Sequence, residues 1–288
     1  MNKRSVLKGM LQDDQTYFVP GVFDCLGALA VEAAGFRSAL ISGNAVSASV
    51  FGLPDLGLLT MTEVAQTSSR IANAVQIPVI ADADTGYGQP LNFMRAVREF
   101  ERGGVAGIHL EDQVSPKKCA YYGGLHEVVP ADEFVRKLKA GIDARETRDF
   151  CIIARTDALV SYGVDEAVSR ANRYLDSGAD AAFVVGCSTV EEIETVARAV
   201  HGPLVININD TSELNRCTPE LFRQMRVKLV LYPATLRSLA LRQSLEVMRG
   251  LHKNGNTQAD LARLATLEEF QDVTRVKAYT EKEYHYSK

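Results

Sequence analysis

Pro78-Val79-Ile80-Ala81-Asp82-Ala83-Asp84-Thr85-Gly86-Tyr87-Gly88 is an apolar run that leads into a glycine-rich loop carrying two carboxylates. The apolar part predicts a buried β-strand, and the glycines predict that the chain turns after it. Residues i and i+2 of a strand point the same way, so the side chains of Asp82 and Asp84 are expected to converge. Like charges held together need a positive partner, and oxygen ligands suit a hard cation such as Mg²⁺. The alternative is that both residues only cap the next helix.

The same alternation of apolar runs and helical patterns extends along the chain. Candidate strands lie at 18–22, 38–43, 78–84, 107–112, 152–156, 181–186, 204–208 and 227–232, and candidate helices at 91–102, 131–144, 164–177, 190–200 and 219–224. This repetition predicts an α/β protein with a (β/α)₈ TIM barrel, and a doubly wound open sheet is the alternative. Because no linker-like segment divides the chain, we expect one barrel domain over residues 1–288.

The C-terminal segment continues beyond the last candidate strand. Residues 251–288 are expected to form a helical extension of the barrel. An apolar stripe at near-helical spacing runs through it, with members Phe270, Val273, Val276, Tyr279 and Tyr284. Such a stripe needs a partner surface, either on the same barrel or on a neighbouring subunit.

Composition excludes several classes of protein. Hydrophobic residues make up 46% of the 288 residues and charged residues 24%, as in soluble globular proteins. The 32 basic and 36 acidic residues give a net charge of −4 without basic clusters, which argues against nucleic-acid or membrane partners. The N-terminal residues lack the apolar stretch typical of a signal peptide, and no apolar run reaches bilayer length, so we expect neither a leader nor a membrane span. The five cysteines have no paired spacing and predict free thiols in the cytoplasm.

Polar side chains cluster where the candidate strands end, which is the face that carries barrel active sites. They are Ser42-Gly43-Asn44 after strand 2, Asp82 and Asp84 after strand 3, Glu111-Asp112 after strand 4, Arg155-Thr156-Asp157 after strand 5, and Asn207 with Asn209 after strand 7. Together they predict a metal site beside an anion site. Taken singly, Glu111 and Arg155 have a simpler explanation as a structural ion pair.

The loop Gln113–Gly124 follows strand 4 and contains a proline, paired glycines and two lysines. This composition predicts a mobile lid over the strand ends. Lys117 and Lys118 are expected to favour the thiolate of Cys119, as in reactive cysteines. The alternative is an ordinary surface loop with an incidental cysteine.

Five motifs carry a resemblance to a known family. They are Leu53–Gly57, Asp82–Gly88, Gly107–Gln113, Lys117–Cys119 and Ala154–Asp157. In this order they resemble the isocitrate lyase/phosphoenolpyruvate mutase superfamily, and most of all its 2-methylisocitrate lyase branch. The resemblance spans roughly residues 19–232, whereas Thr266–Gln271 in the tail looks more like the superfamily's oxaloacetate decarboxylases.

The resemblance implies a (β/α)₈ barrel that forms a homotetramer, a dimer of dimers that exchanges its eighth helix. It implies Mg²⁺, or Mn²⁺ in its place, on Asp84, with Asp82 and Glu111 acting largely through water. It implies a substrate-binding set made of Ser42, Gly43, Asn44, Asp55, Ala120, Arg155 and Asn207. Glu111, Cys119 and Arg155 inherit catalytic roles: Cys119 protonates the product carbanion and Arg155 stabilises the enolate oxygen.

The chain also departs from the lyase pattern. The lyases carry histidine where this chain has Tyr121, and glutamate where it has Val185. Arg237 is offset from a family arginine near strand 8. With fewer cations and one acid less around the substrate, the resemblance implies a dicarboxylate substrate rather than a larger tricarboxylate such as methylisocitrate.

We therefore expect a Mg²⁺-dependent carbon–carbon lyase that cleaves a small 2-hydroxy or 2-oxo dicarboxylate through an enolate and releases pyruvate or a similar 2-oxoacid. An oxaloacetate decarboxylase is the first alternative, because it passes through the same kind of enolate. A barrel that binds a dicarboxylate without catalysis, or only scaffolds an assembly, is the second.

Overall fold

The computed structural model describes residues 2–119 and 122–287. Eight parallel strands form a closed barrel in which each strand pairs with the next and the last pairs with the first. The strands are β1 (Tyr17–Val22), β2 (Ala39–Ile41), β3 (Val79–Asp82), β4 (Gly107–Glu111), β5 (Cys151–Thr156), β6 (Ala181–Val184), β7 (Leu204–Asn207) and β8 (Val227–Tyr232). Closure confirms the predicted TIM barrel and rules out the open sheet.

Helices cover the outside of the barrel. They are α1 (Lys3–Gln12), α2 (Cys25–Ala33), α3 (Gly43–Phe51), α4 (Met61–Ala74), α5 (Pro90–Arg102), α6 (Ala131–Ala144), α7 (Ala158–Tyr162), α8 (Val164–Asp176), α9 (Val190–Ala199), α10 (Pro219–Gln224), α11 (Thr235–Asn254), α12 (Leu267–Val273) and α13 (Val276–Tyr286). Their starts follow local chemistry: Thr60 and Glu63 form a capping box at α4, and Pro90 opens α5.

Helix α1 closes the N-terminal end of the barrel. Leu7, Met10 and Leu11 are almost fully buried and pack with the inward-facing side chains of the strands. Lys8 forms an ion pair with Asp180, which also accepts a hydrogen bond from the backbone N–H at the start of β5. The opposite, C-terminal end of the barrel is therefore the end that opens towards solvent.

Strand β3 ends earlier than the sequence predicts. Asp82 is its last residue, and Asp84 lies in the following turn with a left-handed φ of 46°. The prediction that the two aspartates point the same way as residues i and i+2 of one strand is therefore wrong. They nevertheless lie side by side, because the backbone N–H of Asp84 donates to Oδ1 of Asp82 at 3.0 Å.

The C-terminal segment leaves much apolar surface exposed. Helix α11 runs to Asn254, so the expected boundary at residue 251 lies within its last turn. Its exposed apolar side chains, with those of the tail, are Leu239, Leu241, Leu245, Met248, Leu261, Leu264, Leu267, Phe270, Val276, Tyr279, Tyr284 and Tyr286. Arg275 anchors the tail to α2 through an ion pair with Glu32. Within the described ranges, no helix is long and apolar enough to cross a membrane.

Candidate active site

A cavity opens at the C-terminal ends of the strands, where the sequence predicts the site. Its lining comprises Leu40, Ser42, Asn44, Asp55, Asp82, His109, Lys117, Cys119, Arg155, Phe183, Val185, Asn207, Leu231 and Pro233. Seven of the expected site residues therefore meet here. Ala120 and Tyr121 lie outside the described residues.

The segment Ser42-Gly43-Asn44 forms the start of helix α3. Ser42 is the N-cap, and its Oγ accepts a hydrogen bond from the N–H of Ala45 at 3.4 Å. A Cβ on Gly43 would lie 2.7 Å from Oδ2 of Asp82, so only glycine allows this close approach. The unpaired N–H groups and the dipole of a helix N-terminus favour an anion such as a substrate carboxylate.

The acidic groups surround a buried ammonium. Nζ of Lys117 lies 2.6 Å from Oδ1 of Asp55 and 2.7 Å from Oδ1 of Asp84, and only 4% of the lysine side chain is exposed. Burial opposes this positive charge, but the surrounding carboxylates raise the pKa of Lys117 well above its usual range. The structure thus commits Lys117 to the acidic cluster, and the expected effect of this lysine on the Cys119 thiolate gains no support.

The two aspartates of the DAD motif differ in proton affinity. Burial, opposed by Lys117 and reinforced by the charge of Asp82, raises the pKa of Asp84 to about 6. Burial also opposes ionisation of Asp82, but His109, Lys117 and Arg155 together lower its pKa to about 2. Asp82 is therefore a fixed negative charge at neutral pH, whereas Asp84 exchanges its proton close to neutrality.

Arg155 is held by two carboxylates. Its Nε and Nη2 each donate to Asp157 at 2.8 Å, and its Nη1 lies 2.9 Å from Oε2 of Glu111. The guanidinium also lies 5.6 Å from the ring centroid of Phe183. A guanidinium has five N–H groups, so this fixed arginine retains donors for a substrate oxygen.

Asp112 supports this arrangement from below. It accepts hydrogen bonds from the hydroxyls of Thr156 and Tyr174, both at 2.8 Å, and from the N–H of Asp157 at 3.0 Å. Arg170 lies 3.2 Å from the same carboxylate. Asp112 thus fixes the strand end that carries Asp157, and through Asp157 it fixes Arg155.

The donor set fits a hard divalent cation. Neither oxygen of Glu111 nor Oδ1 of Asp84 makes a hydrogen bond of acceptable geometry within the described residues, although Arg155 and Lys117 lie at ion-pair distance. Buried acceptors without hydrogen bonds call for a cation or water. In the described part of the chain, however, no group of three or more His, Cys, Asp or Glu side chains is placed to hold a metal as it stands. A cation on Asp84 would therefore have to replace or share the position of the Lys117 ammonium.

Cys119 is a buried residue of the lid, 7% exposed. Nδ2 of Asn44 donates to its Sγ at 3.3 Å and faces Oη of Tyr122 at 3.5 Å. Tyr122 also accepts a hydrogen bond from the N–H of Asp55 at 3.0 Å. Cys119 and Tyr122 of this loop therefore lie against the strand ends. The mobility of the lid stays a prediction.

One side of the cavity is apolar. Its lining here consists of Leu40, Phe183, Val185, Leu231 and Pro233. Val185 is 6% exposed and contributes no charge. Asn207 adds a polar group to the lining, and its buried Oδ1 has no hydrogen-bond partner among the described residues.

Sequence reasoning missed or misplaced several residues of this site. Lys117 pairs with acids, His109 lies 3.5 Å from Asp82, and Tyr122 and Arg237 contact Asn44. The inward position of His109, two residues before Glu111 on β4, was a usable signal. Nothing local in the sequence pointed to the contact of Arg237.

The chain matches known proteins over most of its length. Residues 7–252 match the family described as phosphoenolpyruvate phosphomutase. The 2-methylisocitrate lyase of Aeropyrum pernix is 38% identical over 283 residues, which cover 98% of this chain and 91% of that protein. The 2,3-dimethylmalate lyase of Eubacterium barkeri is 34% identical over 287 residues, which cover 100% and 99%.

Solved structures agree with these relatives. Oxaloacetate acetylhydrolase in complex with 3,3-difluorooxalacetate has a TM-score of 0.92 and 29% identity, covering 99% of this chain and 97% of that one. Phosphonopyruvate hydrolase in complex with oxalate and Mg²⁺ has a TM-score of 0.90 and 30% identity, covering 100% of both chains.

Proposed function

This chain belongs to the phosphoenolpyruvate phosphomutase family, of the PEP mutase/isocitrate lyase superfamily, and from that premise we propose that it is a divalent-metal-dependent carbon–carbon lyase for a small dicarboxylate. The observation that carries the proposal is that Cys119, Arg155, Asp55 and Asp82 line one cavity. Asp84 and Glu111 lie next to it, paired with the lining residues Lys117 and Arg155. These groups supply the acid, the oxyanion partner and the cation site that cleavage through an enolate requires.

Substrate binding follows from the fixed positive groups. One carboxylate is proposed to bind at the N-terminus of α3, where Ser42, Gly43 and Asn44 begin the helix. The oxygens around the bond that breaks are proposed to face the remaining N–H groups of Arg155. Asn207 lines the cavity and is proposed to orient the other carboxylate by donating from Nδ2. Its Oδ1, an acceptor without a partner within the described chain, suits a substrate hydroxyl instead.

The cation is proposed to be Mg²⁺, with Mn²⁺ as an alternative, held by Asp84 with Asp82 and Glu111 around it. When bound, it would supply Lewis-acid stabilisation of the substrate oxygens. The similarity to a phosphonopyruvate hydrolase that holds oxalate and Mg²⁺ supports this choice. Arg155 is already oriented by Asp157 and Glu111, so it meets the developing negative charge without reorganisation.

Cys119 is proposed to be the acid that completes the reaction. Carbon–carbon cleavage leaves an electron pair on one product, and the buried thiol lies at the cavity wall to protonate it. The closed lid excludes bulk water from this carbanion.

The proposed substrate is a small 2-hydroxy or 2-oxo dicarboxylate. Leu40, Phe183 and Val185 contribute no charge of their own to the cavity wall, and their side chains suit an alkyl substituent better than a third carboxylate. The 34% identity to a 2,3-dimethylmalate lyase supports this class.

Oxaloacetate decarboxylation is the second candidate. The structure resembles oxaloacetate acetylhydrolase bound to 3,3-difluorooxalacetate, with a TM-score of 0.92. The same cavity would stabilise the enolate left when CO₂ departs, and this reaction needs no acid on the lid.

We further propose a homotetramer in the cytoplasm, with α11 and the tail at the subunit interface and exchange of the eighth helix between subunits. The apolar side chains exposed on α11 support an interface there. Among the described residues none of the five cysteines is in a disulfide bond, which suits a reducing compartment.

The test is a screen for 2-oxoacid release with Mg²⁺ over oxaloacetate, citramalate, dimethylmalate, isocitrate and methylisocitrate. Cys119→Ser should lower carbon–carbon lyase turnover by about 100-fold or more, because the carbanion loses its acid. It should leave decarboxylation intact, because solvent protonates an enolate. Cys217→Ser is the control, since this thiol does not line the cavity. No 2-oxoacid from any substrate, with no Mg²⁺-induced rise in melting temperature, would contradict the proposal.

A further inference from the structure

Asn44 joins three separate parts of the molecule. Its Oδ1 accepts a hydrogen bond from Nη1 of Arg237, near the start of α11. Its Nδ2 donates to Sγ of Cys119 at 3.3 Å and lies 3.5 Å from Oη of Tyr122, both on the lid. Asn44 itself lies in the first turn of α3 and is 9% exposed. Helix α3, the lid and the first turn of α11 thus meet at one carboxamide.

The arginine decides which way this carboxamide points. Arginine has N–H donors and no acceptor, so the atom that faces Arg237 must be the oxygen of Asn44. The –NH₂ group is then directed at Cys119, and the O/N ambiguity of an amide side chain is removed. Sγ of Cys119 therefore accepts a hydrogen bond from Asn44.

Tyr122 connects lid closure to the same carboxamide. Its Oη accepts a hydrogen bond from the backbone N–H of Asp55 at 3.0 Å. The carboxylate of the same Asp55 pairs with Lys117. The lid is thus attached to the strand ends at Lys117 and at Tyr122. These two attachments enclose Cys119 in the sequence, so the thiol reaches Asn44 only when the lid lies in this position.

We propose that Asn44 is a positioning residue for Cys119, oriented by Arg237 and engaged when Tyr122 brings the lid onto the strand ends. The proposal rests on the proposed function, in which Cys119 is the acid. It deepens that function by naming the groups that align the thiol and stabilise the thiolate it becomes.

In the proposed step, the Cys119 thiol protonates the carbanion. The carbanion's electron pair forms a new C–H bond with the thiol proton, and the S–H bonding pair stays on sulfur as a thiolate. The N–H of Asn44 already points at that sulfur, so it stabilises the charge as it forms. An amide that turned its oxygen to the sulfur would repel the thiolate instead.

The first test measures Cys119 alkylation by iodoacetamide against pH, with each cysteine peptide quantified by mass spectrometry. Because the thiolate reacts, Asn44→Ala should move the midpoint of the Cys119 profile upwards by about half to one pH unit. Asp55, Asp82, His109, Lys117 and Arg155, the titratable groups that share the cavity, stay unchanged. Cys217 is the internal control, and its midpoint should not move.

A purely structural effect that opened the lid would raise the plateau rate and expose the thiol to water, which moves the midpoint downwards and not upwards. Asn44→Asp covers the case in which the alanine variant does not fold. The aspartate keeps the shape of the asparagine side chain and its contact with Arg237, but it has no side-chain N–H. The midpoint of the Cys119 profile should therefore move upwards at least as far as in Asn44→Ala. Unchanged Cys119 midpoints in the variants that fold would overturn the proposal. Arg237→Met should give a smaller shift in the same direction, because the amide is then free to rotate.

The second test addresses the lid. Tyr122→Phe removes the hydroxyl that accepts from Asp55, so limited trypsin cleavage after the exposed Lys118 should accelerate severalfold. Tyr162→Phe is the matched control, because Tyr162 is 51% exposed and lies outside the cavity lining. Equal cleavage rates in the two variants would overturn the assignment of Tyr122.

These readouts separate the two proposals. If no dicarboxylate is turned over but the Cys119 midpoint shifts, Asn44 still positions the thiol and the proposed lyase function is wrong. If turnover is found, Asn44→Ala should lower kcat about tenfold or more with little change in KM, because the acid is misaligned while the substrate still binds. A normal kcat in a folded Asn44→Ala variant would contradict the positioning role and leave the lyase function intact.

Discussion

Nζ of Lys117 lies 2.7 Å from Oδ1 of Asp84, which places a lid residue's charge inside the acidic cluster. The same ammonium lies 2.6 Å from Asp55. The lid loop thus supplies the cation that keeps two buried carboxylates together. If a metal ion and the Lys117 ammonium compete for the oxygens of Asp84, metal binding is coupled to the position of the lid.

Lys117→Met should destabilise the metal-free protein by about 3–5 kcal/mol, because it leaves buried acids without their counter-charge. Saturating Mg²⁺ should reduce this loss, since a cation among the carboxylates replaces the missing charge. Chemical denaturation in EDTA and in Mg²⁺ measures both values.

Lys118→Met is the matched control. Lys118 is the neighbouring exposed lysine, so the free energy of unfolding should change by less than about 0.5 kcal/mol. An equal loss for Lys117→Met with and without Mg²⁺ would show that the metal and the ammonium do not share a site.

The affinity for Mg²⁺ should depend on pH through Asp84, whose pKa is raised to about 6. Below pH 6 the proton competes with the cation, so affinity should fall by about tenfold per pH unit, and it should level off above pH 7. In the metal-free protein, a rise in pH has the opposite effect on the free energy of unfolding. The folded state holds this proton more tightly, so its contribution is full below pH 3.8 and is lost as pH rises through 6.

Calorimetric titration with Mg²⁺ between pH 5 and pH 8 checks this dependence. Asp84→Asn should abolish tight binding, whereas Asp272→Asn on the exposed helix α12 should leave the profile unchanged. A flat profile in the unmodified protein would exclude Asp84 as the titrating ligand.

Gly43→Ala should disturb the site directly. Its methyl group would lie 2.7 Å from Oδ2 of Asp82, and moving either group should cost about 1–3 kcal/mol of stability. Mg²⁺ affinity should fall as well, because Asp82 is displaced. Thermal unfolding and metal titration measure the two effects.

Gly9→Ala provides the comparison, since no atom lies within 4 Å of its would-be Cβ. Gly9 lies inside α1, so alanine should leave stability unchanged or raise it by up to about 1 kcal/mol. Similar losses in the two variants would mean that the contact with Asp82 is not what requires glycine at position 43.

Leu241→Glu should weaken subunit association if α11 lies at an interface. Leu241 is 62% exposed on this helix, and a charge there would have to be buried on assembly. Sedimentation velocity should show smaller species. Ser244→Glu adds the same charge at another exposed position of α11, and a similar change there would point to a general effect of charge.

The sequence predicted the barrel because each strand and helix carries its own periodicity. Helices α6 and α10 begin and end as expected, and the strand ends deliver Ser42, Arg155 and Asn207 to one cavity. These are local patterns, which a repeating fold converts directly into positions.

The contacts that organise the site are not local. Asn44 and Arg237 are separated by 193 positions, and no periodicity links them. Lys117 was assigned to Cys119 because they are neighbours in the chain, but its long side chain reaches Asp55 instead. Asp84 was correctly associated with Asp82 for the wrong reason, since a left-handed turn aligns the pair rather than a strand.

The pairing of β1 with β8 has a consequence for biosynthesis. Tyr17 pairs with Leu229, so β1 obtains this neighbour only after 229 − 17 = 212 further residues have been made. At about 5–20 residues per second, that delay is roughly 10–40 s. During it, the emerging polypeptide carries an unpaired strand edge, which is a template for aggregation. Ribosome-bound chains that stop before β8 should therefore be the species most dependent on chaperones.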